Sequence, residues 1–322
     1  MTQLLKIKNL KTYFFTHEGT AKAVDGINLT INQGETLGLV GESGCGKSVT
    51  ALSIMRLIPD PPGKIVDGEI NINGKNLLRI SIKEMRKIRG KTISMIFQEP
   101  MTSLDPVFTI GHEIMETVRL HNTFSKKEAK NRTIEILKIV GIPDPEKRIN
   151  NYPHELSGGM RQRAMIAMAL SCSPALLIAD EPTTALDVTI QAQILRLIDE
   201  LKATFDASVL LITHDLGVIA EMCDNVAVMY CGHIVEYTDI YTIFRNPLHP
   251  YTCGLNKSIP RLDVATRRLD TIKGVVPDLC DMPSGCCFRT RCKFCFEKCF
   301  RVDPGLKNVE DNHFVKCHLY EE

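Results

Sequence analysis

The apolar positions of this chain fall into short runs separated by segments of helical periodicity. Thr36 to Val40, Ser94 to Phe97, Ala175 to Ala179 and Val209 to Thr213 are the clearest runs. Runs of this kind predict strands of a mostly buried parallel sheet, so the expected class is α/β. From Val188 to Phe205 the apolar residues Ile190, Ile194, Leu197, Leu201 and Phe205 recur at three- and four-residue steps, which predicts a helix with one apolar face laid on the sheet. Ser81 with Glu84, and Ser125 with Glu128, have the spacing of a capping box, in which the two side chains satisfy the first free N–H groups of a helix. Between Pro100 and Tyr152 the strand-like runs stop and helical patterning takes over. A helical subdomain, about residues 100–160, is therefore expected as an insertion in the α/β core. Pro247, Pro250, Pro260, Pro277 and Pro283 then punctuate a tail. The tail, residues 251–322, reads as a separate small domain following a main domain of residues 1–250, and no internal repeat or low-complexity tract is visible.

Composition narrows the class without naming a function. With 44% of its 322 residues hydrophobic and 24% charged, the chain can bury one large core or two smaller ones, and disorder is not expected. Lys plus Arg at 39 against Asp plus Glu at 38 leaves a formal charge of +1, which gives no sign of a nucleic-acid partner. The start, MTQLLKIKNLKTYFF, carries spaced Lys residues and no uninterrupted apolar core, so it does not read as a signal peptide. No stretch approaches the roughly 18 to 20 apolar residues of a membrane span. A chain soluble on its own, in a reducing compartment, is the expectation. Of its twelve Cys, the scattered five (Cys45, Cys172, Cys223, Cys231, Cys253) read as small buried hydrophobes, while the other seven crowd between Cys280 and Cys317.

The candidate chemistry begins at Gly41-Glu-Ser-Gly-Cys-Gly-Lys47-Ser48, a phosphate loop G-x-x-x-x-G-K-S that directly follows the apolar run ending at Val40. Gly44 and Gly46 let successive backbone N–H groups converge on a β-phosphate, Lys47 reaches the β and γ oxygens, and the Ser48 hydroxyl suits Mg2+. Gly41, Ser43, Cys45 and Val49 complete the expected cradle. Farther on, Ala175-Leu-Leu-Ile-Ala-Asp180-Glu181 is an apolar strand ending in two carboxylates, at the sheet edge where ligands of open α/β sheets bind. Asp180 suits Mg2+ held through water, and Glu181 suits the polarisation of a water that attacks a γ-phosphate. These two motifs specify an NTPase and no more.

Leu156-Ser157-Gly158-Gly159-Met160-Arg161-Gln162 adds a second anion site at the mouth of a helix, one more than a single ATP needs. Here the chain resembles the ABC ATPase family, whose signature segment reads LSGGQ, with Met160 in place of the commonest Gln. The resemblance implies a P-loop ABC ATPase core, and that Ser157, Gly158 and Gly159 bind the γ-phosphate held by a partner subunit. Carried along residues 1 to about 250, it implies that Gln98 is the Q-loop glutamine touching Mg2+ and the lytic water. It further implies that Asp187, in Ala185-Leu186-Asp187, is the D-loop residue at the dimer interface, and that His214 is the switch histidine at the γ-phosphate. An aromatic residue near the N-terminus is expected to stack on adenine, Phe14 by its distance upstream of Ala23-Val24, with Tyr13 as the substitute.

Asn246-Pro-Leu-His249-Pro250-Tyr251-Thr252, the Cys-rich segment after it, and Glu99-Pro-Met-Thr-Ser-Leu-Asp-Pro106 resemble ATPase subunits of oligopeptide and dipeptide permeases. That branch implies a heterodimer with a second, homologous ATPase, two transmembrane permease subunits and an external substrate-binding protein, on the cytoplasmic face of a prokaryotic membrane. ATP binding would close the ATPase dimer, and hydrolysis would reopen it. In the tail, Cys286, Cys292, Cys299 and Cys317 match the four Cys of the family pattern, with Cys280, Cys287 and Cys295 outside it. Four thiolates suit a 4Fe-4S cluster or, alternatively, Zn2+, because both take four soft sulfur ligands. The resemblance favours the 4Fe-4S cluster, with a structural role in a tail too short and Pro-rich to bury much core. Two other classes fit less well. A soluble ABC ATPase of translation or DNA repair usually carries two cassettes or a long coiled coil, and a zinc module for nucleic acid calls for a basic stripe with aromatic residues.

Overall fold

The structure, a computed structural model, describes residues 2–99, 103–184, 186–259 and 271–321. Pro100 to Thr102 of the segment after Gln98, Ala185 and Pro260 lie outside these residues. The strands, in chain order, are β1 (Gln3–Thr16), β2 (Gly19–Asn32), β3 (Thr36–Val40), β4 (Gly63–Ile72), β5 (Lys75–Asn76), β6 (Ile93–Ile96), β7 (Leu176–Asp180), β8 (Ser208–Thr213), β9 (Asn225–Tyr230), β10 (His233–Asp239), β11 (Lys307–Glu310) and β12 (His313–Val315). The chain divides into two compact units.

One unit comprises Gln3–Ile31, Thr36–Leu78 and Leu211–Glu322. Its first sheet has the order β2-β1-β4-β5. Strands β1 and β4 run antiparallel with Leu5 opposite Ile72 and Ile7 opposite Ile70, and all four of these side chains are buried. The register slips between Lys8 and Thr12, which breaks the strict alternation that would mark β1 as a strand from sequence. The second sheet centres on β3, whose five residues are all buried, as a parallel strand covered on both faces must be. It pairs in parallel with β9, Leu37 against Asn225 through Val40 against Val228. Cys231 and Gly232, both at positive φ, form the tight turn between β9 and its antiparallel neighbour β10, a turn that matches the twist of the strands it joins.

The tail continues this second sheet. Strand β12 pairs with β10, Glu236 opposite Val315, and β11 pairs with β12. Strand β12 of the tail therefore extends the sheet to which β10 belongs. An edge strand such as β10 presents a row of unpaired N–H and C=O groups, and here the tail supplies the partner.

The other unit comprises Met1–Thr2, Asn32–Glu35 and Arg79–Leu210. It holds the parallel pair β6 and β7, Ile93 against Leu176 through Ile96 against Ala179. The helices Ile110–His121, Lys126–Ile139 and Gly158–Leu170 pack on one another, and the last also packs on β6. Ile114, Val118, Ile136, Leu137 and Ile166 are buried among them. Both expected capping boxes form, at Ser81 with Glu84 and at Ser125 with Glu128. The periodic helix runs Val188–Phe205 as its spacing predicts, with Ile194, Leu197 and Leu201 buried. Among the described residues, no helix is long and apolar enough to cross a membrane.

Candidate nucleotide site

Strand β3 delivers the chain into the phosphate loop, and two glycines there are required by space. A Cβ on Gly41 would sit 2.2 Å from the Met229 carbonyl oxygen, and one on Gly46 would sit 2.1 Å from that of Ala23. Gly46 also has φ +108° and caps the helix Lys47–Ile54, whose first turn carries no acidic residue. The positive end of that helix therefore faces the loop with no acidic residue in its first turn. The Lys47 side chain is buried and folds back, its Nζ donating to the carbonyl oxygens of Gly41 at 2.8 Å and Glu42 at 3.0 Å. Ser43 and Gly44 are exposed, Cys45 is buried, and Ser48 and Val49 are half-buried. Burial pushes the Cys45 thiol up, with the Lys47 charge opposing, so this cysteine is the inert, small-hydrophobe kind.

Two aromatic residues were candidates for the base. The Tyr13 hydroxyl donates to Asp25 Oδ1 at 2.7 Å, and burial followed by that bond holds its pKa up at about 12. Phe14 is half-buried opposite Gly63, where a Cβ would meet the Phe14 ring at 2.8 Å. His214, exposed, follows β8 in the same unit as the phosphate loop.

The other unit holds the remaining candidates, in two groups. In the first, Gln98 Nε2 donates to Glu181 Oε2 at 3.1 Å, and Thr184 Oγ1 donates to the same oxygen at 2.9 Å. Glu181 has φ +46°, a left-handed conformation that is strained for a side-chain-bearing residue. Asp180, just before it, is buried at the end of β7. In the second group, Ser157 caps the helix Gly158–Leu170 through its hydroxyl, and Asp187 caps the helix Val188–Phe205 through its carboxylate. A Cβ on Gly159 would lie 3.2 Å from Ile190 Cγ2, so the two helix starts lie side by side. Neither first turn carries an acidic residue. Thr184 was not foreseen. Its only sequence signal is a place three residues after Glu181 in a turn.

In the tail, Cys286 and Cys299 are buried, and Cys292 and Cys317 are half-buried. Burial pushes Cys286 to about 11, Cys317 to about 12 and Cys292 upward. Cys286, Cys292 and Cys299 lie near enough to Cys317 for their charges to add to its rise. The N–H groups of Phe288, Phe294 and Leu319, each two residues on, point at the sulfurs of Cys286, Cys292 and Cys317 and oppose the rise. Among the described residues, however, no three His, Cys, Asp or Glu side chains form a group that could hold a metal ion. The expected ligand set for a 4Fe-4S cluster or zinc is thus gathered into one region without being closed into a site.

A family model described as "ABC transporter" matches residues 24–184, and one described as "Oligopeptide/dipeptide transporter, C-terminal region" matches residues 235–299. The oligopeptide transport ATP-binding protein AppD of Bacillus subtilis is 53% identical over 322 residues, spanning 100% of this chain and 98% of that protein. The dipeptide transport ATP-binding protein DppD of the same organism is 52% identical over 322 residues, spanning 100% and 96%. Among solved structures, the dimeric post-hydrolysis state of the ATP-binding cassette MJ0796, bound to ADP and Pi, matches with a TM-score of 0.66 and 28% identity, covering 73% of this chain and 98% of that one.

Proposed function

The chain belongs to the ATP-binding proteins of ABC transporters, in the oligopeptide and dipeptide branch, and from that membership we propose how its residues divide the work. It is an ABC ATPase cassette that hydrolyses ATP to drive a membrane importer of peptides. Its kind forms dimers and works with membrane permeases. The finer assignments are ours: the second ATPase is a homologous, non-identical subunit, an external binding protein delivers a dipeptide or oligopeptide, and the chain sits on the cytoplasmic face of a prokaryotic membrane. Residues 1–250 act as the nucleotide-binding domain, and 251–322 as a region specific to the peptide branch.

The observation that carries the reading is the pair of helix starts with no acidic residue in the first turn, one behind Gly41–Ser48 and one at Ser157–Gly159. One ATP occupies one such cradle, so the second serves the ATP of a partner ATPase. The backbone N–H groups of the loop and Lys47 bind the β and γ oxygens, and the base stacks on Phe14, with Tyr13 the alternative. Ser48, Gln98 and Asp180 offer oxygen donors of the type Mg2+ takes and would hold it, the bound ion neutralising phosphate charge. Glu181 polarises the attacking water, with Gln98 orienting it and His214 contacting the γ-phosphate. Asp187, which caps its own helix, lies at the interface between ATPase subunits.

For the tail we propose that Cys286, Cys292, Cys299 and Cys317 hold a 4Fe-4S cluster, with Zn2+ the alternative. Support comes from the resemblance of the four-Cys pattern to that of the peptide-permease branch and from the N–H groups directed at three of the sulfurs, which stabilise thiolates. The role would be structural, since ATP hydrolysis needs no redox step.

Copurification from native membranes tests the main reading. Two multispanning proteins and a second ATPase are expected in the complex, with turnover rising steeply on assembly. Full ATPase activity in a demonstrably monomeric chain would overturn the shared-site mechanism.

A further inference from the structure

Within the phosphate loop, Glu42 is the one carboxylate, and its partners come from far along the chain. Arg291, in the Cys-rich segment and next to Cys292, places its guanidinium on that carboxylate as a fork: Nη1 to Oε2 at 2.6 Å and Nη2 to Oε1 at 3.0 Å. The Arg291 side chain is 3% exposed and the Glu42 side chain 27%. The Glu42 N–H donates to the Tyr251 hydroxyl at 2.9 Å, and its carbonyl oxygen accepts from Lys47 at 3.0 Å. Every polar group of Glu42 is therefore engaged, two of the three by residues downstream of position 250.

Arg291 is itself fixed. It donates to the carbonyl oxygens of Ile272 and Lys273, both at 3.3 Å, and to the Tyr230 hydroxyl at 3.4 Å. Its backbone N–H bonds to the Phe288 carbonyl oxygen at 3.0 Å. The Phe288 ring packs 5.2 Å from that of Tyr230 and 5.6 Å from that of Tyr251. The aromatic cluster thus seats the very turn that carries the guanidinium.

We propose that Arg291 is a positioning residue for nucleotide binding, its guanidinium fork holding Glu42 so that the phosphate loop keeps its shape and its one carboxylate is neutralised beside the phosphates. The inference rests on reading Gly41–Ser48 as the cradle for ATP. Two physical effects make the pairing matter. An unpaired carboxylate in the loop repels a polyanionic ligand bound beside it. The planar fork also restrains the Glu42 side chain in a way that a single ammonium contact does not. Arg291 touches no reacting atom, so its effect falls on affinity.

The test uses the full-length chain and equilibrium displacement of a fluorescent ATP analogue by MgATP and MgADP. Wild type must bind MgATP. Failure there overturns the phosphate-cradle reading itself. Arg291→Gln is expected to bind MgATP about tenfold more weakly, a loss of about 1.4 kcal/mol, and MgADP less so because it carries less charge. Glu42→Gln combined with Arg291→Gln is expected to recover most of the loss. In the assembled transporter, Arg291→Gln raises KM for ATP with kcat unchanged. Arg291→Lys, which keeps the charge and is the gentler change should Arg291→Gln fail to fold, is expected to lose about threefold in affinity. Wild-type affinity in a folded Arg291→Gln or Arg291→Lys protein would overturn the proposal, as would a loss in Arg291→Gln that the second substitution leaves untouched.

Discussion

Gln98 reaches Glu181 directly, Nε2 to Oε2 at 3.1 Å, while Glu181 holds φ at +46°. A left-handed glutamate at the end of a buried strand costs on the order of 1–3 kcal/mol, and such strain persists where the surroundings over-determine the conformation. The contact joins two residues 83 positions apart.

Replacing Glu181 with Gln keeps the size of the side chain and an oxygen that can accept from Gln98 and Thr184, but removes the charge proposed to polarise water. MgATP binding is expected to be retained while turnover in the assembled complex falls at least about 100-fold. Nucleotide affinity and ATPase rate measured side by side check this, and turnover at the wild-type rate would remove Glu181 from the mechanism.

Gly46 and Gly44 separate close packing from backbone angle. A Cβ on Gly46 meets the Ala23 carbonyl oxygen at 2.1 Å, whereas one on Gly44, at φ +77°, meets nothing within 4 Å. Gly44→Ala is expected to cost about 1 kcal/mol. Gly46→Ala is expected to cost at least about 3 kcal/mol and to abolish nucleotide binding, since backbone must move. Urea midpoints compared with nucleotide affinity resolve the two, and equal losses would mean that the packing is softer than this geometry states.

His249 is buried, caps the helix Pro250–Lys257 through Nδ1, and accepts from the Tyr251 N–H at 3.1 Å. Burial first, and then the Lys316 charge, lower its pKa from 6.5 to about 3. The Glu236 carboxylate meanwhile receives the His249 backbone N–H. Because the folded pKa lies below the unfolded one, the unfolded chain takes up a proton first as pH falls. The contribution of His249 is therefore complete above pH 6.5 and lost progressively toward pH 3, about 1.4 kcal/mol per pH unit. His249→Asn keeps a capping oxygen without titrating, so its urea midpoint is expected to fall less between pH 7 and pH 5 than that of wild type. Parallel pH profiles would exclude His249 as the source.

The tail thiols are tested by colour and metal content. Protein purified without oxygen is expected to be brown, with iron and sulfide in near-equal amounts, and to lose its colour when Cys299 is replaced by Ser. Colourless anaerobic protein with stoichiometric zinc would assign the alternative ligand. Colourless protein free of metal would leave the thiols as packing residues.

Much of the fold was legible because its signals are local. Thr36–Val40 and Val188–Phe205 have the bounds that their patterns predict, and both capping boxes form, since each depends on residues within one helix or strand. The sheet of β2, β1 and β4 was not foreseen. Its β1 strand slips register between Lys8 and Thr12, so the period of two that would reveal it is broken.

The sequence alone determined the nucleotide chemistry of this protein. A phosphate loop, a carboxylate-tipped strand and a capped, acid-free helix start are each short segments whose residue types dictate the backbone that displays them. Tertiary structure alone decided what those segments are tied to. The fork from Arg291 to Glu42 spans 249 positions, the bond from Gln98 reaches the strained Glu181, and strand β12 of the tail pairs with β10. Such contacts leave no periodicity behind, because they depend on which surfaces the whole chain brings together and not on the spacing of residues along it.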